Sequence, residues 1–194
     1  MQAMRGLRII AGSAGGRKLR SVPGDTTRPI TDRTKEALFN ILGADIQGAN
    51  FLDLFAGTGS VGIEALSRGA AFVRFVDINS NAINTIKTNL QLTQLSSQAD
   101  VQRRDAFHLL SSPPDVVFDY VYIAPPQYKE IWYRCLRELD ANPGWLAANA
   151  WVIVQIHPRE YQSLKLSYLE EFDRRRYGST LLVFYQRKDD AAKS

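Results

Sequence analysis

Residues 51–64 read FLDLFAGTGSVGIE, and the fold class follows from this stretch. An apolar run, Phe51, Leu52, Leu54 and Phe55, breaks into Gly57, Gly59 and Gly62, and a helical pattern continues through Ile63, Ala65 and Leu66. Strand, glycine turn and helix with G-x-G-x-x-G spacing make the place where such folds hold a nucleotide-like cofactor. Glycine lets the backbone take a positive φ and approach a ligand closely. The spacing alone also fits an ordinary turn. The strand before it, the helix after it and Asp77 at the end of the next strand favour the cofactor reading.

Charge narrows the cofactor. A dinucleotide would set its pyrophosphate on the helix N-terminus, and Asp53, four residues before Gly57, would repel it. S-adenosylmethionine (SAM) carries an ammonium and a sulfonium and no phosphate, so Asp53 favours SAM over NAD. The competing role for Asp53 is a side-chain cap of the turn or helix. Asp53, Phe55, Ala56, Gly57, Thr58 and Gly59 are the candidate cofactor residues of this stretch. Asp77 closes FVRFVD and can accept from both ribose hydroxyls, or else cap the Asn79–Leu90 helix; Ile78 would lie against the adenine face. Asp105 can accept from the adenine amino group and Ala106 can offer its N–H to the ring, with an N-cap role as the alternative for Asp105.

With 194 residues, 45% of them hydrophobic, one sizeable α/β domain with a small appendage is expected. No apolar run approaches the roughly 20 residues of a membrane span, and no apolar signal core opens the chain, so a cytosolic protein is expected. The single cysteine, Cys135, excludes an internal disulfide and a Cys-based zinc site, and reads as a packing residue. His108 and His157 are too few and too separated for a metal site, so no metal is expected. Charge is uneven. Residues 1–35 hold eight basic residues (Arg5, Arg8, Arg17, Lys18, Arg20, Arg28, Arg33 and Lys35) against Asp25 and Asp32. Such an arm points to a polyanionic partner, the alternative being a solvated basic tail.

Along the chain, Leu7–Ala11 and Lys18–Val22 read as strands of a basic hairpin around GSAGG, within an N-terminal extension over 1–30. Thr31 offers an N-cap to a helix through about Leu42, with Ala37, Leu38, Ile41 and Leu42 as its apolar stripe. Strands are expected at 50–54, 72–77, 98–103, 117–123 and 150–156, and helices near 60–68, 79–92, 105–111 and 128–140. This alternation predicts an α/β, Rossmann-like, mostly parallel twisted sheet over 31–188. Tyr168–Arg175 and Leu181–Arg187 flank Gly178 with no helix between, which predicts an antiparallel last strand, usual in SAM-dependent methyltransferases. Residues 189–194 read as a disordered tail.

Ile123–Tyr128 reads IAPPQY. Two prolines remove two backbone donors, so the carbonyls of Ala124 and Pro125 can face a ligand and Tyr128 can offer a flat surface. Carbonyl acceptors and an aromatic plate suit an exocyclic amine and its base. Alone, Pro-Pro is a stiff turn; its place after the fourth strand favours Ala124, Pro125, Pro126 and Tyr128 as candidate catalytic residues.

The chain resembles the bacterial 16S rRNA guanine-N2 methyltransferase family (the RsmD type) from about Leu7 to Arg187, through LRIIAG…GRKL, TRPITDRTKEALFNIL and DLFAGTGSVGIEALSRGA. The resemblance implies a Rossmann-like SAM domain with an RNA-binding N-terminal extension, and transfer of methyl to one guanine N2 of 16S rRNA, naked or in a small-subunit particle. No membrane partner is expected from a chain without an apolar span, and a monomer is expected. Arg5, Arg8, Arg17, Lys18 and Arg20 are candidate phosphate contacts, with Arg28 and Arg33 nearer the active-site mouth; each alone also fits a solvated surface. Arg174–Arg176 reads as an exposed strand edge, and Trp132, Tyr133, Trp145 and Trp151 as packing residues. The chain departs from the family at Ala124, where an Asp would usually accept from the target amine. Two other readings stand beside this one: N-methylation of another amine (adenine, cytosine or a protein amide), since the Pro-Pro-aromatic element serves several amino acceptors, and, from Ala124, an RNA-binding assembly factor with lost or weakened catalysis.

Overall fold

The computed structural model describes residues 7–24 and 29–188. Seven strands form a mostly parallel sheet in the order β3-β2-β1-β4-β5-β7-β6, flanked by helices, as the alternation predicts. The chain divides into two compact units after Arg103.

In the first unit, α1 (Asp32–Leu42), β1 (Asn50–Leu54), α2 (Ser60–Ser67), β2 (Phe72–Asp77), α3 (Ser80–Thr93) and β3 (Ala99–Arg103) follow in order. Both β1 with β2 and β2 with β3 pair in parallel. Strands β1 and β2 are buried runs, as parallel strands covered on both faces must be. Thr31 caps α1 by accepting from the Thr34 N–H, and Gly43 ends it. The buried stripe of α1 is Thr34, Lys35, Leu38, Phe39 and Leu42, so a lysine stands where the sequence pattern places only apolar residues. Every residue of α2 is buried. Its close approach to β2 requires Gly62: a Cβ there would lie 2.3 Å from the Phe75 ring and 2.9 Å from Val73.

The N-terminal hairpin forms, but as a single antiparallel bridge, Arg8 with Lys18, rather than two full strands. It docks on α2. Ile9, Ala14, Leu19 and Val22 are buried, and the Ile10 and Ala11 N–H groups donate to the Glu64 carboxylate at 2.9 and 3.1 Å. Ser67 Oγ donates to the Ala11 carbonyl (2.6 Å) and accepts from Ala14 N–H (2.9 Å). Gly12 lies so close that a Cβ would meet the Ser67 carbonyl at 1.8 Å.

In the second unit, α4 (Ala106–Leu110), β4 (Phe118–Ile123), α5 (Ile131–Ala141), β5 (Leu146–Ile156), β6 (Leu169–Tyr177) and β7 (Thr180–Arg187) follow. β4 and β5 are parallel; β7 runs antiparallel to β5 and to β6, which is the terminal hairpin expected from the sequence. Helix α5 starts at Ile131 instead of near 128, because Tyr128 (φ 60°) and Glu130 (φ 55°) take left-handed conformations that no α-helix accommodates. Trp132, Trp145 and Cys135 are core residues, and burial pushes the Cys135 thiol up to about 12, which leaves it unreactive. Among the described residues, no helix is long and apolar enough to cross a membrane.

Candidate functional site

The glycine turn after β1 is built from beneath and from the side. Asp53 is 2% exposed, and its Oδ2 accepts from the Gly62 N–H at 3.0 Å, in the first turn of α2. The capping role weighed from the sequence is therefore present, and burial pushes the Asp53 carboxyl well above the usual carboxylate range, opposed by the Gly62 bond. Asp77 reaches across from β2: its Oδ2 accepts from Gly57 N–H at 2.9 Å and its Oδ1 from Asn79 N–H at 2.8 Å. Asn79 caps α3 by accepting from Asn81 N–H, so Asp77 does not. Phe55 holds φ 60°, a strained value for a bulky residue. Phe55, Ala56, Gly57 and Thr58 are half-exposed while Gly59 is buried. A Cβ on Gly57 would meet nothing, so the turn is open at that point. Beside it, Ile78 is 64% exposed, an apolar face with no core role.

Asn89, buried on α3, has no mark in the sequence to single it out. Its Oδ1 accepts from Arg20 N–H at 2.7 Å, and its Nδ2 donates to the Arg20 carbonyl at 3.1 Å and to the Thr58 carbonyl at 2.9 Å. One amide thus ties the hairpin's returning strand to the glycine turn. Lys35 and Glu64 likewise show their role only in three dimensions. Both side chains are fully buried, 3.4 Å apart, and Lys35 Nζ also donates to the Arg8 carbonyl (2.6 Å) and Ser60 Oγ (2.8 Å). Burial lowers the Lys35 pKa despite Glu64. A lone charge in the otherwise uncharged SVGIEALS helix is the legible signal for Glu64.

Of the arginine candidates, Arg8 pairs with Asp32 at 2.9 Å and Arg17 donates to the Leu92 carbonyl at 2.7 Å. Lys18, Arg20 and Arg33 are exposed. Lys35, counted in the basic arm, is buried and adds nothing to its surface. Arg5 and Arg28 lie outside the described residues, as does the 189–194 tail.

In the second unit, Asp105 caps α4, its Oδ1 accepting from His108 N–H at 2.9 Å, and Ala106 opens that helix, buried. Ala124 and Pro125 are half-buried and Pro126 is exposed. Tyr128 is 64% exposed, its N–H donating to Glu160 Oε1 at 2.7 Å. Glu160 Oε2 accepts from His157 N–H at 3.0 Å, and His157 Nδ1 accepts from Arg159 N–H at 3.2 Å, a capping box that closes the turn after β5. The Tyr128 and His157 rings lie 5.8 Å apart. His157 and Glu160 act as a pair whose one sign in the sequence is the H-x-x-E spacing.

The model of the family described as "Conserved hypothetical protein 95" matches residues 7–186. The chain is 40% identical over 151 residues to "Ribosomal RNA small subunit methyltransferase D" of Haemophilus influenzae, covering 77% of this chain and 78% of that one. A solved protein of Thermus thermophilus is similar over 91% of this chain and 97% of its own, with TM-score 0.78 and 29% identity. A Salinibacter ruber RNA methyltransferase, solved with S-adenosyl-L-homocysteine, shares the fold at TM-score 0.64 and 11% identity, over 84% of this chain and 95% of its own. The chain belongs to the conserved hypothetical protein 95 family, the family of the ribosomal RNA small subunit methyltransferase D proteins.

Proposed function

We propose that this chain transfers a methyl group from SAM to the exocyclic N2 amine of a guanine in 16S rRNA. One observation carries the acceptor side: Tyr128 stands 64% exposed at the end of the Ala-Pro-Pro-Gln turn, with its left-handed backbone held by Glu160. A large aromatic fixed at strain and left uncovered is a platform for a base. The cofactor side rests on the open Gly57 turn, the Asp77 carboxylate and exposed Ile78, which fit a ribose and an adenine. Each Asp77 oxygen keeps a second lone pair beyond its backbone bond, enough to accept from ribose hydroxyls. Asp53 supports that turn from the buried side.

SAM, when bound, supplies a methyl carbon that the amine nitrogen attacks, with the C–S electrons passing to sulfur and one N–H proton leaving to water. The chain's share is alignment. Carbonyls of Ala124 and Pro125 accept from the amine and orient its lone pair; Tyr128 stacks on the base and keeps it out of its helix. Lys18, Arg20 and Arg33, with Arg5 and Arg28, hold the backbone of the RNA.

The test is tritiated SAM with small subunits lacking the modification, followed by nucleoside analysis. Label in N2-methylguanine supports the reading; label in another base or in protein overturns the acceptor. A second reading follows from Ala124, which offers no side-chain acceptor: SAM and rRNA bind but transfer is absent, and binding without label would establish it.

A further inference from the structure

Beside Tyr128, an open hollow of about 610 Å³ is lined by His157, Pro158, Arg159, Arg176, Gly178 and Ser179. Strand pairing explains why these residues meet. His157 follows the carboxyl end of β5, and the β5–β7 register sets Ile156 against Leu181, so the β6–β7 turn comes to the same edge. Since β4 runs parallel to β5, the Ala124–Tyr128 turn leaves from that edge too.

The hollow is rich in donors. Arg159 and Arg176 pair with no carboxylate among the described residues. Arg176 spends one N–H on the Gly178 carbonyl at 3.0 Å, which leaves its charge uncompensated. His157 Nδ1 accepts from Arg159 N–H, so the neutral ring carries its proton on Nε2 and is a donor there. Ser179 adds a hydroxyl. The neighbouring acid, Glu160, directs both oxygens to backbone N–H groups. Arg174, Arg175 and Arg176 are all exposed, as expected of a strand edge, but they differ in their partners. Arg174 pairs with Glu171 at 3.0 Å and Arg175 with Asp173 at 2.9 Å, while Arg176 alone lines the hollow.

We infer that this hollow is a phosphate site for the RNA strand, holding a phosphodiester next to the nucleotide stacked on Tyr128. The inference rests on the proposed function for the identity of the polyanion. Two guanidinium forks and an imidazole donor match phosphate oxygens in charge and geometry. A phosphate anchored one nucleotide from the target would fix the register of the base at the Pro-Pro turn.

The test is Arg159→Gln/Arg176→Gln in the full chain, with affinity for a fluorescein-labelled single-stranded RNA followed against salt. Expected are about tenfold weaker RNA binding, a salt slope shallower by about 0.7 for one lost single-strand phosphate contact, and unchanged SAM affinity. Arg159→Lys/Arg176→Lys should restore the slope. Unchanged RNA affinity and slope in the Gln variant would overturn the site, even with wild-type methyl transfer intact. Absence of label from wild-type chain, with the Gln variant still losing RNA affinity, would sink the proposed reaction and leave the phosphate site standing.

Discussion

Replacing Asn89 by leucine tests whether one buried amide holds the hairpin and the glycine turn together. Leucine keeps the branched shape and the number of side-chain heavy atoms, so no cavity is left, though its methyls are bulkier than the amide, and three hydrogen bonds of 2.7, 3.1 and 2.9 Å are lost. Each is worth about 1 kcal/mol net, and a buried partner left unpaired costs about 1–3 kcal/mol. Arg20 is exposed, so water recovers part of its loss; the Thr58 carbonyl, half-buried in the turn, recovers less. The expected destabilisation is about 2–3 kcal/mol, or about 4–12 °C in Tm for a chain of this size. Freed from Asn89, Thr58 should also loosen the turn, and about 1 kcal/mol of lost pre-organisation would weaken SAM binding about fivefold. Asn89→Asp separates polarity from packing. Its carboxylate still accepts from Arg20 N–H but sets an oxygen against two carbonyls, so at neutral pH it should be no better than leucine and should improve on acidification, when the protonated acid can donate. Differential scanning calorimetry and titration calorimetry read both effects. A leucine variant with wild-type Tm and wild-type SAM affinity would mean that Asn89 does not hold the hairpin and the turn together.

Two further changes probe the same motif. Gly62→Ala drives a Cβ to 2.3 Å from Phe75, an overpacking cost of about 1–3 kcal/mol, and Gly62→Ala/Phe75→Leu should recover part of it in thermal unfolding; no recovery would mean the clash is not with Phe75. Asp53→Asn keeps an oxygen for Gly62 N–H and removes the ionisation. Burial raises the Asp53 pKa above its ordinary 3.8, so the folded state binds the extra proton and Asp53's contribution to stability falls as pH rises from that value through the raised one. The Asn variant should show a flatter stability–pH curve and be at least as stable at neutral pH. An unchanged slope would mean Asp53 is ionised in the fold.

Much of the frame is legible because it is local. The β1 and β2 bounds fall where the apolar runs stop, and the antiparallel end of the sheet follows from two strands with only a Gly178 turn between them. Loop starts are less legible. The sequence pattern starts helix α5 near 128 because nothing in Gln-Tyr-Lys-Glu marks a left-handed backbone at Tyr128 and Glu130; at Tyr128 that conformation is held by Glu160, thirty-two residues away. Charge counting misleads at Lys35 for the same reason. Its partner, Glu64, comes from another helix, and a net count treats a buried pair and two solvated ions alike. The arm that reads as a basic hairpin is in fact seated on α2 through Glu64 and Ser67, 53 to 56 residues along the chain.

The order of strands and helices and the glycine turn follow from the sequence, because period, turn chemistry and apolar runs act between near neighbours; the ligand's charge does not follow from Asp53, since that carboxyl is buried against Gly62 and pushed toward its neutral form. What each charge faces is set by the packing in three dimensions. Asp53 turns inward to cap α2, Asp77 clasps Gly57, and Asn89 joins Arg20 to Thr58. Arg176 leaves its two neighbours to line the hollow beside Tyr128. Pairing a polar group depends on which distant backbone it meets, and that meeting is set by packing rather than by spacing along the chain.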